Sequence, residues 1–103
     1  MIDSAGFTDL RNYIKRRVAY AKYRVGNTYI KTDLSDVAVL PNGTVRAQLT
    51  ISAESTPLTV TRVELYNSDN ALWAHQNCSI TVNTGQTGIL YWFDFTVTEH
   101  EVK

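Results

Sequence analysis

A chain of 103 residues can build one domain with a modest hydrophobic core but is too short for two such domains. Its composition, 44% hydrophobic and 19% charged, is that of a folded globular protein and excludes a disordered chain. The ten basic and ten acidic residues cancel at pH 7, which excludes a global field that would attract nucleic acid or anionic lipid. No apolar run approaches the ~20 residues of a membrane-spanning helix, so no membrane partner is expected. The single cysteine, Cys78, excludes an intramolecular disulfide and favours folding in a cytoplasm.

The charges are distributed unevenly along the chain. Residues 1–34 hold seven basic and three acidic side chains, a net charge of +4, and residues 35–103 hold the opposite balance, −4. A small protein with one basic and one acidic region suits head-to-tail contacts between copies.

The first predicted element is a helix at about residues 7–25. Apolar side chains recur there at spacings of four, four, three and four, which places them on one helix face: Leu10, Ile14, Val18, Ala21 and Val25. Gly26 follows as a C-terminal stop. The other flanks carry basic side chains interleaved with Tyr13, Tyr20 and Tyr23.

Beyond Gly26 the apolar side chains recur with a period of two, which is typical of strands. The residues Pro41-Asn42-Gly43 and the polar run 67–70 are turn formers, and a break in the alternation near Thr61-Arg62 predicts a β-bulge. Strands are predicted at 28–32, 36–40, 44–52, 58–66, 71–75, 78–82 and 89–97. We therefore predict an α+β, mainly β fold with a single domain over 1–103. Its N-terminal helix, about 7–25, is followed by an antiparallel β-sandwich of six or seven short strands over about 28–98.

The stretch 88–97 has the clearest alternation in the chain. One parity is wholly apolar or aromatic and comprises Ile89, Tyr91, Phe93, Phe95 and Val97. We expect this strand to lie at the centre of the sandwich. The other parity begins with Leu90 and Trp92, and if these face outward they form an apolar patch that the helix or another subunit would cover.

The basic side chains of the predicted helix form the sharpest candidate site. They suit contact with a second copy or another protein, a plain solvated face, or, least favoured, nucleic acid held by phosphate contacts and tyrosine stacking. For the favoured subunit contact we expect a basic side formed by Arg16, Arg17, Tyr20 and Arg24 and an acidic side formed by Glu64, Asp69 and Asp94.

Three aromatic residues, Tyr66, Trp73 and Trp92, form a candidate patch for stacking on sugar rings. A carbohydrate-binding β-sandwich module with a glycan ligand is therefore the main alternative function.

Metal and catalytic chemistry find little support in the sequence. The metal-type ligands besides carboxylates are His75, Cys78 and His100, and no two of them have zinc-site spacing. No serine lies in a glycine-bounded elbow, and the strand carboxylates Glu64 and Asp94 are of a kind that is usually just solvated. We expect no metal site, no cofactor and no enzymatic activity, and we expect Cys78 to pack as a small core residue.

Two segments carry a resemblance to a known class of proteins. Residues 63–74, VELYNSDNALWA, and 88–95, GILYWFDF, resemble small tail and fibre-associated structural proteins of bacteriophages and prophages. The resemblance covers about a third of the chain, and the turn has Asn70 where those proteins usually have glycine. It implies a non-enzymatic virion or tail-assembly subunit that is made in the bacterial cytoplasm and then enters the virion. Its partners would be itself, as a homo-oligomer, and other virion or tail proteins.

Overall fold

The computed structural model describes residues 3–85 and 88–96, which form one helix and six strands. In chain order they are α1 (Ser4–Arg17), β1 (Val18–Val25), β2 (Thr28–Val39), β3 (Val45–Ile51), β4 (Leu58–Asn67), β5 (Leu72–Val82) and β6 (Ile89–Phe95). Within these residues no helix has the length and apolar content to cross a membrane.

All six strands belong to one antiparallel sheet with the order β5-β4-β1-β2-β3-β6. The long strand β2 pairs with β1 over its first half and with β3 over its second half, so the sheet curves along it. The sheet is nearly closed, because Trp73 on β5 and Phe95 on β6 bring the two edge strands together with ring centroids 5.7 Å apart. A mainly β fold with an N-terminal helix is therefore confirmed, and a division into two packed sheets is not confirmed.

The predicted helix ends eight residues earlier than expected. The prediction of a helix up to residue 25 is wrong, because α1 stops at Arg17 and the chain continues directly as β1. In Val18–Val25 the buried Ala21 and Tyr23 alternate with the less buried Lys22 and Arg24. Tyrosine and valine favour strands, and β1 has a hydrogen-bonded neighbour on each side.

Gly26 likewise has a different role from the one expected. Residues 26 and 27 form the two-residue loop between the paired Val25 and Thr28, and Gly26 has a φ of +61°. A positive φ at the first loop residue matches the tight turn that joins two twisted antiparallel strands. Gly26 therefore closes a hairpin instead of ending a helix.

The six strands agree with the predicted six or seven, but the bounds of two strands and the position of one differ from the prediction. The predicted pairs 28–32 with 36–40 and 71–75 with 78–82 are each one continuous strand, β2 and β5, which gives six strands. The strand at 88–97 is β6, an edge strand, and its expected central position is wrong. Its apolar parity does face the core as predicted over 89–95, and Val97 lies outside the described residues. The turns after β2 and β4 and the bulge between Val60 and Arg62 are confirmed.

The core lies inside the curved sheet. Its fully buried side chains come mainly from β3 and β4, and the largest are Leu49, Ile51, Leu65, Val45, Val60, Val63 and Val82. By contrast, most inward residues of β5 and β6 are only half-buried, including Cys78, Ile80 and Tyr91. The core is thus least covered along the seam between the two edge strands.

The helix is attached to the sheet by two arginines. None of its residues is buried. The Arg11 guanidinium lies 5.5 Å from the centre of the Phe7 ring and beside Gly43, where a Cβ would come within 2.7 Å of Arg11 Nη2. Arg17 donates hydrogen bonds to Ser68 Oγ (2.9 Å) and Asp69 Oδ2 (2.6 Å) in the turn after β4.

Two neighbouring residues of β3 test which face of the sheet is the core. Leu49 is 0% exposed and Gln48 points outward, opposite Trp92. Leu49→Ala removes buried methyl groups and should lower the free energy of unfolding by about 2–5 kcal/mol. Gln48→Ala should change it by less than about 1 kcal/mol. Urea unfolding of both variants measures the difference, and equal losses would contradict the assigned faces.

Candidate functional site

The outer surface of β1, β2 and β4 carries the densest group of polar and aromatic side chains. We call this surface the tyrosine–lysine face; it comprises Tyr20, Lys22, Arg24, Tyr29, Lys31, Arg62, Glu64 and Tyr66. Alternation places these residues opposite the buried ones, for example Lys22 between Ala21 and Tyr23. The pairing of the three strands brings them side by side.

Two tyrosines form the centre of this face. Tyr20 and Tyr66 are cross-strand partners whose rings are stacked, with centroids 5.1 Å apart and an interplanar angle of 3°. The ammonium of Lys31 lies 4.3 Å from the centre of the Tyr20 ring, and that of Lys22 lies 4.9 Å from the centre of the Tyr66 ring. Both lysines are therefore within range of a cation–π attraction.

Glu64 is buried although it belongs to an outward-facing row, being only 6% exposed. Its carboxylate accepts hydrogen bonds from Arg62 Nε at 2.9 Å and from the Tyr66 hydroxyl at 2.8 Å. The hydrogen bond to Glu64, followed by burial, raises the pKa of Tyr66 to about 12. Deprotonation of Tyr66 would place a second negative charge beside the Glu64 carboxylate, so Tyr66 keeps its proton. Arg62 supplies the positive charge that pairs with Glu64.

A second surface, the β6 patch, lies on the edge strand β6. It consists of Leu90 and Trp92, which are 55% and 46% exposed, bordered by Arg46 and Asp94. Arg46 makes two hydrogen bonds to Asp94, of 2.8 and 2.9 Å, and its guanidinium carbon lies 4.7 Å from the centre of the Trp92 ring. The Arg46 guanidinium holds the pKa of Asp94 below its ordinary value.

The residues expected to form the basic side of a subunit contact do not lie on one helix. Arg16 and Arg17 are on α1, and Tyr20 and Arg24 are on β1. Arg16 is exposed beside Tyr13, with 5.6 Å from its guanidinium carbon to the ring centre. Arg24 donates to the Gly26 carbonyl (2.8 Å) and to Asn27 Oδ1 (3.3 Å), which ties it to the β1–β2 turn. Tyr20 donates its hydroxyl to Asn70 Oδ1 at 3.0 Å.

The three carboxylates expected on the acidic side already have cationic partners within the chain. Asp69 pairs with Arg17, Glu64 with Arg62 and Asp94 with Arg46. A head-to-tail contact through these groups would have to compete with the internal pairs. Association through these charges stays a prediction.

The three aromatic residues expected to bind sugars are not in contact with one another. Tyr66 stacks on Tyr20, Trp73 packs against Phe95, and Trp92 lies beside Arg46. The three rings therefore do not form one stacking surface for a sugar. Carbohydrate binding stays a prediction.

The residues considered for metal binding and catalysis are also separated. His75 is exposed, whereas Cys78 packs against the core as predicted, and burial raises the pKa of its thiol. His100 lies outside the described residues. No group of three potential metal ligands occurs in 3–85 and 88–96. Glu64 and Asp94 are on β4 and β6, with three strands between them in the sheet order.

Several functional candidates do not stand out in the sequence. Strand register alone brings Lys31 and Arg62 to the tyrosine–lysine face and Arg46 to the β6 patch. The helical period predicted from the sequence places Lys22 on a helix flank instead. The signal that could have found Lys22 is the period of two in 18–25. Comparison of the chain with models of protein families, with curated protein sequences and with solved structures finds no match.

The Tyr66–Glu64 hydrogen bond has a measurable pH signature. The pKa of Tyr66 is raised in the folded protein, so the stability that this bond contributes is present below pH 10, the ordinary value. It is lost as the pH rises from there towards about 12. The phenolate absorbance of the wild type minus that of Tyr66→Phe should therefore show a transition near pH 12. In a Glu64→Gln background the same difference should move towards the ordinary tyrosine value. A wild-type transition at the ordinary value would contradict the hydrogen bond.

Proposed function

We propose that the protein is a non-enzymatic structural or assembly protein that associates with copies of itself, or docks on a larger assembly, through the β6 patch. One observation carries this proposal: two large apolar side chains, Leu90 and Trp92, are about half exposed on an edge strand. Exposed apolar neighbours on a regular strand are a recurrent mark of a protein–protein contact.

The surroundings of the patch support a contact with another protein molecule. The helix contacts β1, β2 and β3, and no packing of α1 against β6 is among its main contacts, so the helix does not provide the expected cover. In the described residues β6 is hydrogen-bonded on one side only, by β3. On its other side β6 meets β5 through the contact of Phe95 with Trp73, without strand pairing in the described part of the chain. An edge strand that lacks a hydrogen-bonded partner on one side and exposes apolar residues is a site that proteins usually cover.

The border of the patch suits a second copy of the same chain. Arg46 and Asp94 contribute one positive and one negative charge beside Trp92. A two-fold contact places each surface against itself, so a border with both signs can pair across the axis without net repulsion. A strongly basic or acidic partner would gain little from such a border.

A phage or prophage tail is the setting that we propose for this association. Residues 63–74 and 88–95 resemble small tail and fibre-associated proteins, and 88–95 includes the whole apolar part of the patch. In that setting the chain is made in the cytoplasm of the bacterial host and then becomes part of the virion, bound to itself and to other tail proteins.

Mass measurement by light scattering behind a sizing column tests the self-association. We expect an oligomer that persists at high salt, because apolar burial is not screened as exposed charge pairs are. Leu90→Gln and Trp92→Gln should shift it towards the monomer.

Leu72→Gln is the matched control, since Leu72 is also a half-exposed leucine on an edge strand, 45% against 55% for Leu90. It should leave the mass unchanged. A wild-type monomer at high protein concentration at every salt would overturn self-association, and dissociation by salt alone would favour the charged contact instead.

The virion setting has a separate test. Particles purified after prophage induction of the bacterial host should contain the chain in a constant ratio to other tail proteins, as measured by quantitative mass spectrometry. An oligomer that is absent from such particles would contradict the tail assignment and leave the association intact.

A further inference from the structure

Cations face each other across strands on the tyrosine–lysine face. Lys22 on β1 lies directly opposite Lys31 on β2, and Arg24 on β1 lies directly opposite Arg62 on β4. Like charges at directly opposed positions of a sheet are destabilising. On its other side Lys22 faces the buried Glu64 of β4, so the four cations of these two neighbouring rows share one carboxylate. An excess of like charge on one face is a local conflict of the kind that functional sites tolerate.

Little of this positive charge is neutralised within the chain. Arg62 pairs with the buried Glu64, and Arg24 donates to neutral oxygens of the β1–β2 turn. Lys22 and Lys31 make ring contacts, and neither has a carboxylate within 4.0 Å in the part of the chain described. Two acidic residues lie at cross-strand positions of this face. Glu64 is opposite Lys22 but already pairs with Arg62, and Asp33, opposite Tyr20, marks the boundary of the basic area.

An exposed aromatic ring lies in the same area. Tyr29 is 44% exposed and is the β2 partner of Arg24, one row from Lys31 and Lys22. Outward side chains along a strand are about 6.8 Å apart and neighbouring strands about 4.8 Å apart. The lysines, Arg24 and Tyr29 therefore form a small cluster of three cations beside one accessible ring.

We propose that the tyrosine–lysine face binds single-stranded nucleic acid, with backbone phosphates on Lys22, Arg24 and Lys31 and a base stacked on Tyr29. Proteins that bind single strands without sequence preference use cations to contact the nucleic-acid backbone. They also use aromatic rings, on which any base can stack. An anionic membrane would also attract the cations, but binding at a lipid surface uses apolar insertion, and no aliphatic side chain lies among these four. This site is separate from the β6 patch and does not depend on it.

Binding of the 103-residue chain to a labelled oligothymidine of about 12 nucleotides, followed by fluorescence anisotropy at about 50 mM salt, tests the proposal. Lys31→Glu should weaken binding at least about tenfold. Lys31→Gln should reduce the steepness of the salt dependence by about 0.7, because it removes one cation from a backbone phosphate. Tyr29→Ala should weaken binding about tenfold with the salt dependence unchanged.

Lys15→Glu on α1 is the matched control, because it changes the net charge by the same amount at an exposed position outside the site. We expect it to weaken binding much less than Lys31→Glu. The melting temperature of Lys31→Glu should stay within about 3 °C of the wild type, since the new carboxylate faces Lys22. If that variant unfolds, Lys31→Gln and Tyr29→Ala still decide the question.

Three results would overturn the proposal. The first is no oligonucleotide binding at low salt, and the second is an equal loss in the Lys15→Glu control. The third is binding to vesicles that contain phosphatidylserine without binding to the oligonucleotide, which would assign the cations to a membrane surface.

Discussion

The hydrogen-bonded ladders on both sides of β1 hold the two halves of the sheet together. β4 and β5 lie on one side of β1, and β2, β3 and β6 lie on the other. Because Ala21 and Tyr23 are buried between these halves, the inward residues of β4 can pack with those of β3 in one core. A separate β4–β5 hairpin would have only marginal stability in water, so the fold depends on β1 being a strand.

The same alternation links the core of the protein to its outer surface. Each residue that β1 turns inward requires its neighbours to turn outward, so burying Ala21 and Tyr23 places Lys22 and Arg24 on the tyrosine–lysine face. A shift of one residue in the β1–β4 register would exchange the two sets and put cations into the core. The positive charge is therefore held in position by apolar packing. The buried carboxylate on this face is Glu64, which pairs with Arg62 and lies opposite Lys22.

Features that depend on neighbouring residues could be predicted from the sequence, and features that depend on distant strands could not. The alternation of Thr44–Ser52 and of Ile89–Phe95 identifies two strands and their core faces, and the turn residues after β2 and β4 identify the turns. Residues 18–25 satisfy both a helical and a strand period, and only the ladders with β2 and β4 decide between them. The edge position of β6 and the opposition of Lys22 and Lys31 are likewise properties of strand order and register, which no local pattern contains.

The strand order also has a consequence for how the chain folds. Three of the five ladders join consecutive strands, whereas β1–β4 and β3–β6 join distant ones and form only after long loops have closed. During synthesis α1 to β3 leave the ribosome before β4, so one edge of β1 stays open until β4 has been synthesised. Lysine and arginine on a temporarily open edge discourage pairing with the same edge of another nascent chain. Lys22 and Arg24 on β1 are thus side chains of the kind that keeps an open edge from pairing with another chain before the sheet is complete.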